Sequence, residues 1–529
     1  MNISYPKSGE LLGRLRKTPD GFLDFVILST GEGTSLQWGG VRQCLDEAVR
    51  ALATGGLLFV QGSPRDLAEL GVYLDGRLTF RYWIAVESEL RRVGNGLPSS
   101  HAGILLFAKG RKLPVKRTRT PHLYCSACGK SLRDWGGKTH LMHPDGRVIS
   151  DVWRELPPAD NYSSISEPVL ERILAMMEPD EEADGMISSL VSAGRPVRVD
   201  ERQKINRLSP DLVNVTHCGD ALDVLSRYPS NSVDLVFADP PYNLEKKYNT
   251  YEDRASDEEY FAWCEAWLSE YVRILKPNGA LWVVNLPRNA MHHAEYLNKH
   301  LYFQNWIVWS ALSDPRGKLM PAHYSLIYYT KHPTSFTMNY DEVKRIDARD
   351  YCLRPTCVKQ RKAAGDDRKE MLNDFWTDVH RIRHKRDRDY HPCQLPDALL
   401  ERIIRLSTNP GDIVLDALCG VGTTQVVAAK LERRYVGIDI DPQYVDITCR
   451  KVSEVEAIGK LHRARTKRNR TRYTKKELHL ELRRLAGALG RLPTPEDVRS
   501  LSHYDPDVIL DIFPTWNRAL AAAKLDVGE

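Results

Sequence analysis

Residues 233–242 read VDLVFADPPY, and this stretch decides how the rest of the chain is read. Val233 to Ala238 form a short run, mostly apolar and rich in β-branched and aromatic side chains. A strand buried on both faces of a parallel sheet has that composition. The run stops at Asp239-Pro240-Pro241-Tyr242. The prolines cannot continue a hydrogen-bonded ladder, and they stiffen the turn. A carboxylate and an aromatic ring are thereby held together just beyond the carboxyl end of a strand, where open α/β sheets bind ligands. The pair suits a planar group carrying an exocyclic amine. Asp239 and a backbone carbonyl accept its two N–H bonds while Tyr242 stacks on the ring. The nitrogen lone pair is then aimed at an electrophile by position and electrostatics, with no covalent enzyme intermediate.

Downstream, IVLDALCGVGTTQVVAAKL (413–431) is a strand, a glycine turn and an apolar helix. Gly420 and Gly422 permit a tight turn and close approach of a ligand to the backbone, next to Asp416 and Thr423. The next strand, Arg434 to Ile440, carries Asp439 near its end, where a carboxylate accepts the hydroxyls of a ribose. The loop has no lysine for phosphate, so it is a poor P-loop.

Upstream, the chain repeats itself. Val272, Arg273, Leu275, Gly279, Pro287, Arg288, Phe303 and Trp306 fall without a gap on Val49, Arg50, Leu52, Gly56, Pro64, Arg65, Phe80 and Trp83. HYSLIYYTKH (323–332) matches HAGILLFAKG (101–110), FWTDVHRI (375–382) resembles ISDVWREL (149–156), and LLERIIRL (399–406) resembles VLERILAM (169–176). Two α/β units in tandem are expected, roughly 20–200 and 212–450. The first has Ser29-Thr30-Gly31-Glu32 where the second has Asp239 to Tyr242. Its stretch 178–191, set against Asp416 to Thr424, keeps a single glycine. The second unit is therefore read as the working one and the first as degenerate.

The 529 residues are 42% hydrophobic and 27% charged, enough apolar mass for several cores. No run approaches the ~18 apolar residues of a membrane span, and no apolar segment follows the basic residues of the N-terminus. Ten cysteines in this length do not make a disulfide scaffold. A reducing, cytoplasmic setting without membrane association is the expectation. The expected domains are 1–200, 201–456, a basic linker at 457–476 and a small helical module at 477–529.

These motifs resemble the permuted, β-class S-adenosylmethionine-dependent amino-methyltransferases of DNA, in which the catalytic tetrapeptide precedes the cofactor loop. The resemblance implies two tandem Rossmann-like units and a site-specific enzyme. It would transfer a methyl group from S-adenosylmethionine to the exocyclic amine of a flipped base in duplex DNA. It makes Asp239, Pro240, Pro241 and Tyr242 catalytic, and Asp416, Gly420, Gly422, Thr423 and Asp439 cofactor-binding. His391-Pro392-Cys393-Gln394-Leu395-Pro396 resembles a further cofactor motif of that family, which adds Pro392 and Gln394; Leu395 replaces the usual lysine. Aspartate in the first catalytic position favours adenine N6. Cytosine N4, an RNA amine, or a DNA-binding regulator on a relic fold are the other readings. Pro392-Cys393 also spells the nucleophile of cytosine-C5 enzymes, but there the glycine loop comes first. A restriction or defence partner would accompany a site-specific enzyme of this kind.

Three further segments carry chemistry. Cys125-Ser-Ala-Cys128, with His140 and His143 downstream, has zinc spacing, or else forms a cysteine-bearing hairpin. The second unit keeps only Cys352 and Cys357 at a different spacing, which argues against a metal need common to both units. Arg381, Arg383, Lys385, Arg386 and Arg388 make a basic insert beside the catalytic edge. It suits phosphate contacts, or is a solvated loop. From Lys460 to Lys476 there are nine Lys or Arg and no acid, among them Arg463, Arg465, Lys467, Arg468 and Arg470. This linker is read as lying on a polyanion. Beyond it, Leu478, Leu482, Leu485 and Leu489 mark one helix face, Gly490 stops the helix, and Thr494-Pro495 and Asp505-Pro506 start two more. The pattern resembles the homing-endonuclease-associated repeat, a small helical DNA-binding module. The alternative is a helical cap or oligomerisation domain.

Overall fold

Apolar runs such as Val233–Ala238 become strands here because both faces of their sheet are covered. The computed structural model describes residues 1–30, 38–91, 96–132, 139–157, 164–190, 204–244, 254–310, 318–343, 345–352, 354–366, 368–379, 394–466, 475–502, 504, 506, 509–510, 513 and 515–525. They form two compact units, 1–452 and 453–529.

The larger unit holds two sheets. The strands of its first half are β1 (Asn2–Ser4), β2 (Leu23–Thr30), β3 (Leu52–Gly62), β4 (Thr79–Arg91), β5 (Ser99–Ala108), β6 (Arg119–Thr120), β7 (Arg147–Val148), β8 (Val152–Trp153) and β9 (Asp184–Leu190). Those of the second half are β10 (Val215–Cys218), β11 (Val233–Ala238), β12 (Leu275–Asn285), β13 (Tyr302–Trp309), β14 (Tyr324–Thr330), β15 (Arg345–Asp347), β16 (Lys369–Met371), β17 (Phe375–Trp376), β18 (Ile413–Asp416) and β19 (Arg434–Asp439). The first sheet runs β1-β9-β2-β3-β5-β4-β8 and the second β10-β19-β18-β11-β12-β14-β13-β17. From β9 and from β18 onward, the two orders correspond strand for strand. The pairings do too: β2 with β3 and β11 with β12 are parallel, while β3 with β5 and β12 with β14 are antiparallel. Even the irregularities recur, between Leu23 and Phe25 as between Val233 and Leu235, and between Phe80 and Tyr82 as between Phe303 and Asn305.

The first-order contacts of each half repeat as well. Lys109 Nζ donates to the carbonyls of Val49 and Leu52 at 2.8 and 2.7 Å, capping the end of the preceding helix. Lys331 Nζ does the same to Val272 and Leu275 at 2.7 and 2.9 Å. A helix C-terminus leaves such carbonyls without intrahelical partners, and a cation there is favourable.

The two halves of the larger unit share a core. Helix Pro64–Leu74 lies against helix Pro287–Leu297, and Leu67, Leu70, Trp83, Ala290, Met291 and Trp306 belong to one buried cluster. A side chain at Gly71 would collide with Met291, so glycine permits the close approach. Trp83 and Trp306 stack face to face with centroids 3.9 Å apart. Around them the two halves exchange equivalent bonds. The Asp374 carboxylate accepts from Ser100 N–H at 2.8 Å, and Asp151 accepts from Ala322 N–H at 2.9 Å. This reciprocity corrects the sequence match of residues 375–382 with 149–156 by three positions. Asp374 corresponds to Asp151 and Trp376 to Trp153, and each indole N–H bonds the carbonyl three residues back. Similarly, Asp184–Leu190 corresponds to the strand Ile413–Asp416 and not to the glycine loop after it. Gly185 lies within that strand against the Phe25 ring.

The smaller unit is helical in its described residues: Lys475–Leu489, Pro495–Leu501 and Trp516–Ala522. Leu478, Leu482, Leu485, Val498, Phe513 and Leu520 bury one core. Thr494 and Asp497 form a capping box, and Gly490 takes a left-handed φ of 62° past the first helix. Asp505 lies outside the described residues. Helix Pro442–Thr466 continues through the first part of the expected linker. No described helix is long and apolar enough to cross a membrane.

Replacing Trp306 by Ala removes one face of the stacked pair and leaves a void between the halves. Equilibrium urea unfolding should report a loss of about 3–5 kcal/mol. A loss below ~1 kcal/mol would mean that the stack does not hold the halves together.

Candidate active site

The parallel pairing of β11 with β18, Leu235 opposite Val414 and Val236 opposite Leu415, brings two distant segments to one sheet edge. Asp239 to Tyr242 leave β11 there, and Ala417 to Gly422 leave β18 beside them. Both line one cleft, together with Asp439, Asp441 and Tyr444; Gly422 does not line it. Gln394 and Thr423 also line it.

In the Asp239–Tyr242 tetrapeptide, Tyr242 is buried and its hydroxyl donates to Asp239 Oδ1 at 2.8 Å. The ring is therefore tied to the carboxylate, an interaction the sequence did not suggest. Beneath it lies a buried polar network. Tyr260 Oη donates to the Pro241 carbonyl at 2.7 Å, and Asn289 Nδ2 to the Tyr242 carbonyl at 3.1 Å. Asn285 Nδ2 donates to Tyr260 Oη and to His293 Nε2, at 3.2 and 3.0 Å. Burial pushes the His293 imidazole down to about 3, so it stays neutral. After Tyr242, Asn243 adopts φ 55° and its side-chain amide bonds both backbone groups of Ala255. Tyr324 on β14 stands 5.9 Å from Tyr242, ring to ring. Tyr260, Asn285 and Asn289 were not legible as site residues. A lone polar residue at the end of an apolar strand, as in WVVN (282–285), is the signal they leave.

At the glycine loop, Asp416 is buried. It accepts from Thr424 Oγ1 at 2.6 Å and Leu418 N–H at 3.1 Å. Gly420 and Gly422 have φ of 51° and 73°, and a side chain at Gly422 would collide with Thr448. Asp439 accepts from Gly420 N–H at 2.8 Å and Asp441 N–H at 2.9 Å. The Ile440 backbone also bonds it, and of a carboxylate's about four acceptor positions one remains for a hydroxyl donor. Burial pushes the Asp416 carboxyl up to about 7 and that of Asp439 up to about 6. Asp441, missed in the sequence, is buried in the same cleft. Its Oδ2 has no hydrogen-bond partner among the described residues. A buried acceptor of that kind fits a polar ligand group.

The corresponding edge of the first half is different. Ser29 stands at the position of Asp239 and bonds Ser189 Oγ at 2.8 Å. Thr30 is buried against Gly62, and Ile187 takes the position of Asp416. Residues 191–200 lie outside the described residues.

Other candidates are distributed as follows. Arg381, Arg383, Lys385, Arg386, Arg388, Pro392, Lys467, Arg468 and Arg470 lie outside the described residues, as do the side chains of Arg463 and Arg465. Cys125 and Cys128 do not meet His140 and His143. They meet Cys352 and Cys357, the sulfurs of all four lying within 4.8 Å of one another. His143 instead accepts the N–H of Asp145 at its own turn, and its carbonyl faces His122. Cysteines of the two halves thus converge in space although their spacings along the chain differ.

A DNA methylase family model matches residues 233–450, and a homing endonuclease associated repeat matches 473–526. The type II methyltransferase M.BamHI of Bacillus amyloliquefaciens is 36% identical over 267 residues, 48% of this chain and 62% of that relative. The type II methyltransferase M.HpaI of Haemophilus parainfluenzae is 34% identical over 44% of this chain and 71% of its own. The DNA adenine methyltransferase YhdJ of Escherichia coli (strain K12) is 31% identical over 48% and 87%. Among solved structures, PvuII DNA methyltransferase (cytosine-N4-specific) is 18% identical and covers 46% of this chain and 90% of its own, with a TM-score of 0.33. The M1.HpyAVI complex with SAM is 20% identical over 45% and 98%, with a TM-score of 0.32. With its cleft built from the matched residues, and with M.HpaI and YhdJ covered over most of their length, the chain belongs to the N6/N4 DNA methylase family.

Proposed function

We propose that the chain methylates the exocyclic amine of a base flipped out of duplex DNA, adenine N6, with S-adenosylmethionine as donor. The single observation that carries this reading is the shared cleft, in which the Asp239–Tyr242 clamp and the Asp416–Asp439 loop face one space. Asp439 and Asp441 are suited to the donor's ribose and neighbouring polar groups, with Gly420 against its chain and Gln394 and Thr423 at the rim. When bound, the donor supplies an electrophilic methyl group on a sulfonium. Asp239 and the Pro240 carbonyl accept the two amine N–H bonds, and Tyr242 supports the base ring. The Tyr242 hydroxyl fixes the Asp239 carboxylate before substrate arrives, and the Tyr260–Asn285–Asn289 network holds the backbone that carries them. Pre-set acceptors of this kind need no reorganisation during reaction. The adenine choice follows the Asp239 motif and the name of the YhdJ relative. Cytosine N4 is the second reading, favoured by the PvuII neighbour's name only.

The finer features belong to the same reading. The catalytic tetrapeptide precedes the donor loop, as in the permuted class. The first half is a decayed duplicate that serves as a scaffold. Its matching strand order supports this, and Ser29 and Ile187 replace the two key aspartates. The basic residues 381–388 and 463–470 contact DNA phosphates, as does the repeat-like module at 473–526. A cytoplasmic site-specific enzyme paired with a nuclease would match the type II relatives.

Tritiated methyl transfer to duplex DNA, with mass spectrometry of the digested product, names the base. Asp239→Ala should lower kcat about 10²–10³-fold while donor affinity stays within about twofold. Wild-type-like turnover in that variant would remove the clamp from the mechanism.

Donor affinity should also depend on pH. Both buried carboxyls titrate above their ordinary value of 3.8, at about 7 and about 6. Their protonated forms are favoured by folding, so their stabilising contribution to the donor-free protein is present at acid pH and is lost as pH rises through about 6–7. A cationic donor favours the ionised forms. Calorimetric titration should therefore give tighter binding as pH rises from about 5.5 to about 7.5, by up to about tenfold per unit for each proton released. It should give one site per chain, and Asp439→Asn should flatten the slope. A flat wild-type profile would separate these carboxyls from the donor, and two sites per chain would refute the scaffold role of the first half.

A further inference from the structure

Each half of the larger unit carries an insert beyond its fifth strand-forming segment. In the first half, β6 and β7 pair antiparallel, and Cys125 and Cys128 lie in the chain between them. In the second, β15 and β16 pair antiparallel, and between them lie Cys352 and the helix Pro355–Ala363 that bears Cys357. The two inserts meet through their cysteines.

The geometry at the meeting point is specific. The Sγ atoms of Cys125 and Cys357 are 3.8 Å apart, and those of Cys128 and Cys352 are 3.7 Å apart. A disulfide bond is about 2.05 Å long, so neither pair is bonded. Four sulfurs at about 2.3 Å from a tetrahedral ion lie about 3.8 Å from one another. Cys125, Cys352 and Cys357 are buried and Cys128 is partly so. Cys125 sits in a tight turn in which Gly129 N–H bonds its carbonyl at 2.8 Å and its own N–H bonds the Lys130 carbonyl at 2.7 Å. Cys352 N–H donates to Cys125 Sγ at 3.3 Å, a bond that favours a thiolate at that sulfur.

The surroundings suit a site with net negative charge. Arg361, one helical turn after Cys357, is buried with its guanidinium 4.0 Å from the Tyr351 ring centroid. Arg368 lies over the same ring at 4.7 Å and bonds Ser126 Oγ across the inserts at 2.9 Å. Arg354 reaches the Ser131 carbonyl at 2.7 Å. Four thiolates around a divalent ion carry a net charge of about −2, which nearby guanidinium groups offset.

We propose that Cys125, Cys128, Cys352 and Cys357 bind one zinc ion as a closed tetrathiolate site that clasps the insert of the catalytic half to the first half. Four protein ligands leave no open position for substrate, so the ion is structural. Soft thiolates in tetrahedral array select zinc among the divalent ions in ordinary supply, iron being the competitor. The clasp has a mechanical consequence. From β16 the chain passes to β17, which pairs with β13, and through 380–393 to Gln394 in the cleft. Fixing the insert also anchors the chain that enters β17 beside β13.

The test uses the full chain purified without chelator. Elemental analysis should find about one zinc per chain, and cobalt exchange should produce thiolate-to-cobalt charge-transfer bands with the visible bands of a tetrahedral ion. Cys128→Ser and Cys352→Ser should each reduce zinc retained on dialysis at least about tenfold. The double variant His140→Ala, His143→Ala should keep it. If the serine variants fail to fold, Cys357→His, which retains a zinc-binding donor, should keep zinc and shift the cobalt bands. Four findings would each overturn the assignment: wild-type protein holding far less than one zinc, iron in its place, a disulfide among the four cysteines, or zinc that follows the histidines.

Discussion

The parallel pairing of β11 with β18 is the contact on which the site depends. Asp239 and Asp416 are separated by more than 170 positions in the chain, yet they leave neighbouring strands that point the same way. Two parallel strands side by side must release their next residues at the same edge. Everything chemical in the cleft follows from that registry. A one-residue slip in β11 would invert its in–out alternation and turn Asp239 away from the cleft. Leu235 and Val236 are buried on opposite covered faces, so a slip would keep them from water but would misfit the packing on both faces.

The second constraint is the reciprocal joint between halves. Asp151 and Asp374 each accept a backbone N–H from the opposite half, and Trp83 lies on Trp306 at the centre. This is the arrangement of a two-fold interface, in which the same patch meets itself. Here the two patches have different sequences around the same contacts. Burial pushes the Asp374 carboxyl up to about 6, whereas its acceptor role toward Ser99 and Ser100 draws it back. The contacts of the joint match in the two halves, while the sheet edge bears Asp239 and Asp416 in one half and Ser29 and Ile187 in the other.

Much of this was legible in the chain. VDLVFADPPY and the glycine loop were readable because a strand end, a rigid turn and a left-handed glycine each leave a local mark. The match between halves was readable over 49–86 and 272–309 because it has no gap there. At Trp153 and Trp376 the register is three positions off the sequence match, because the inserts differ in length and the reciprocal Asp151 and Asp374 bonds, not local sequence, set it. The cysteine cluster was half legible. Cys125 and Cys128 announce a knuckle, but their partners lie more than 220 residues away at a spacing of their own, and nearby histidines offered a simpler answer. Tyr260, Asn285 and Asn289 support the clamp from below. Nothing in their spacing distinguishes a buried hydrogen-bond network from ordinary strand and helix ends.

The joint between the halves also has a thermodynamic consequence that follows from its being within one polypeptide. Two separate chains meeting through this surface would come apart on dilution, and their pairing would depend on how much of each the cell made. Tethered partners meet at a local concentration set by the connecting chain, whatever the bulk concentration. A cell holding only a few copies therefore keeps the two halves of every copy together.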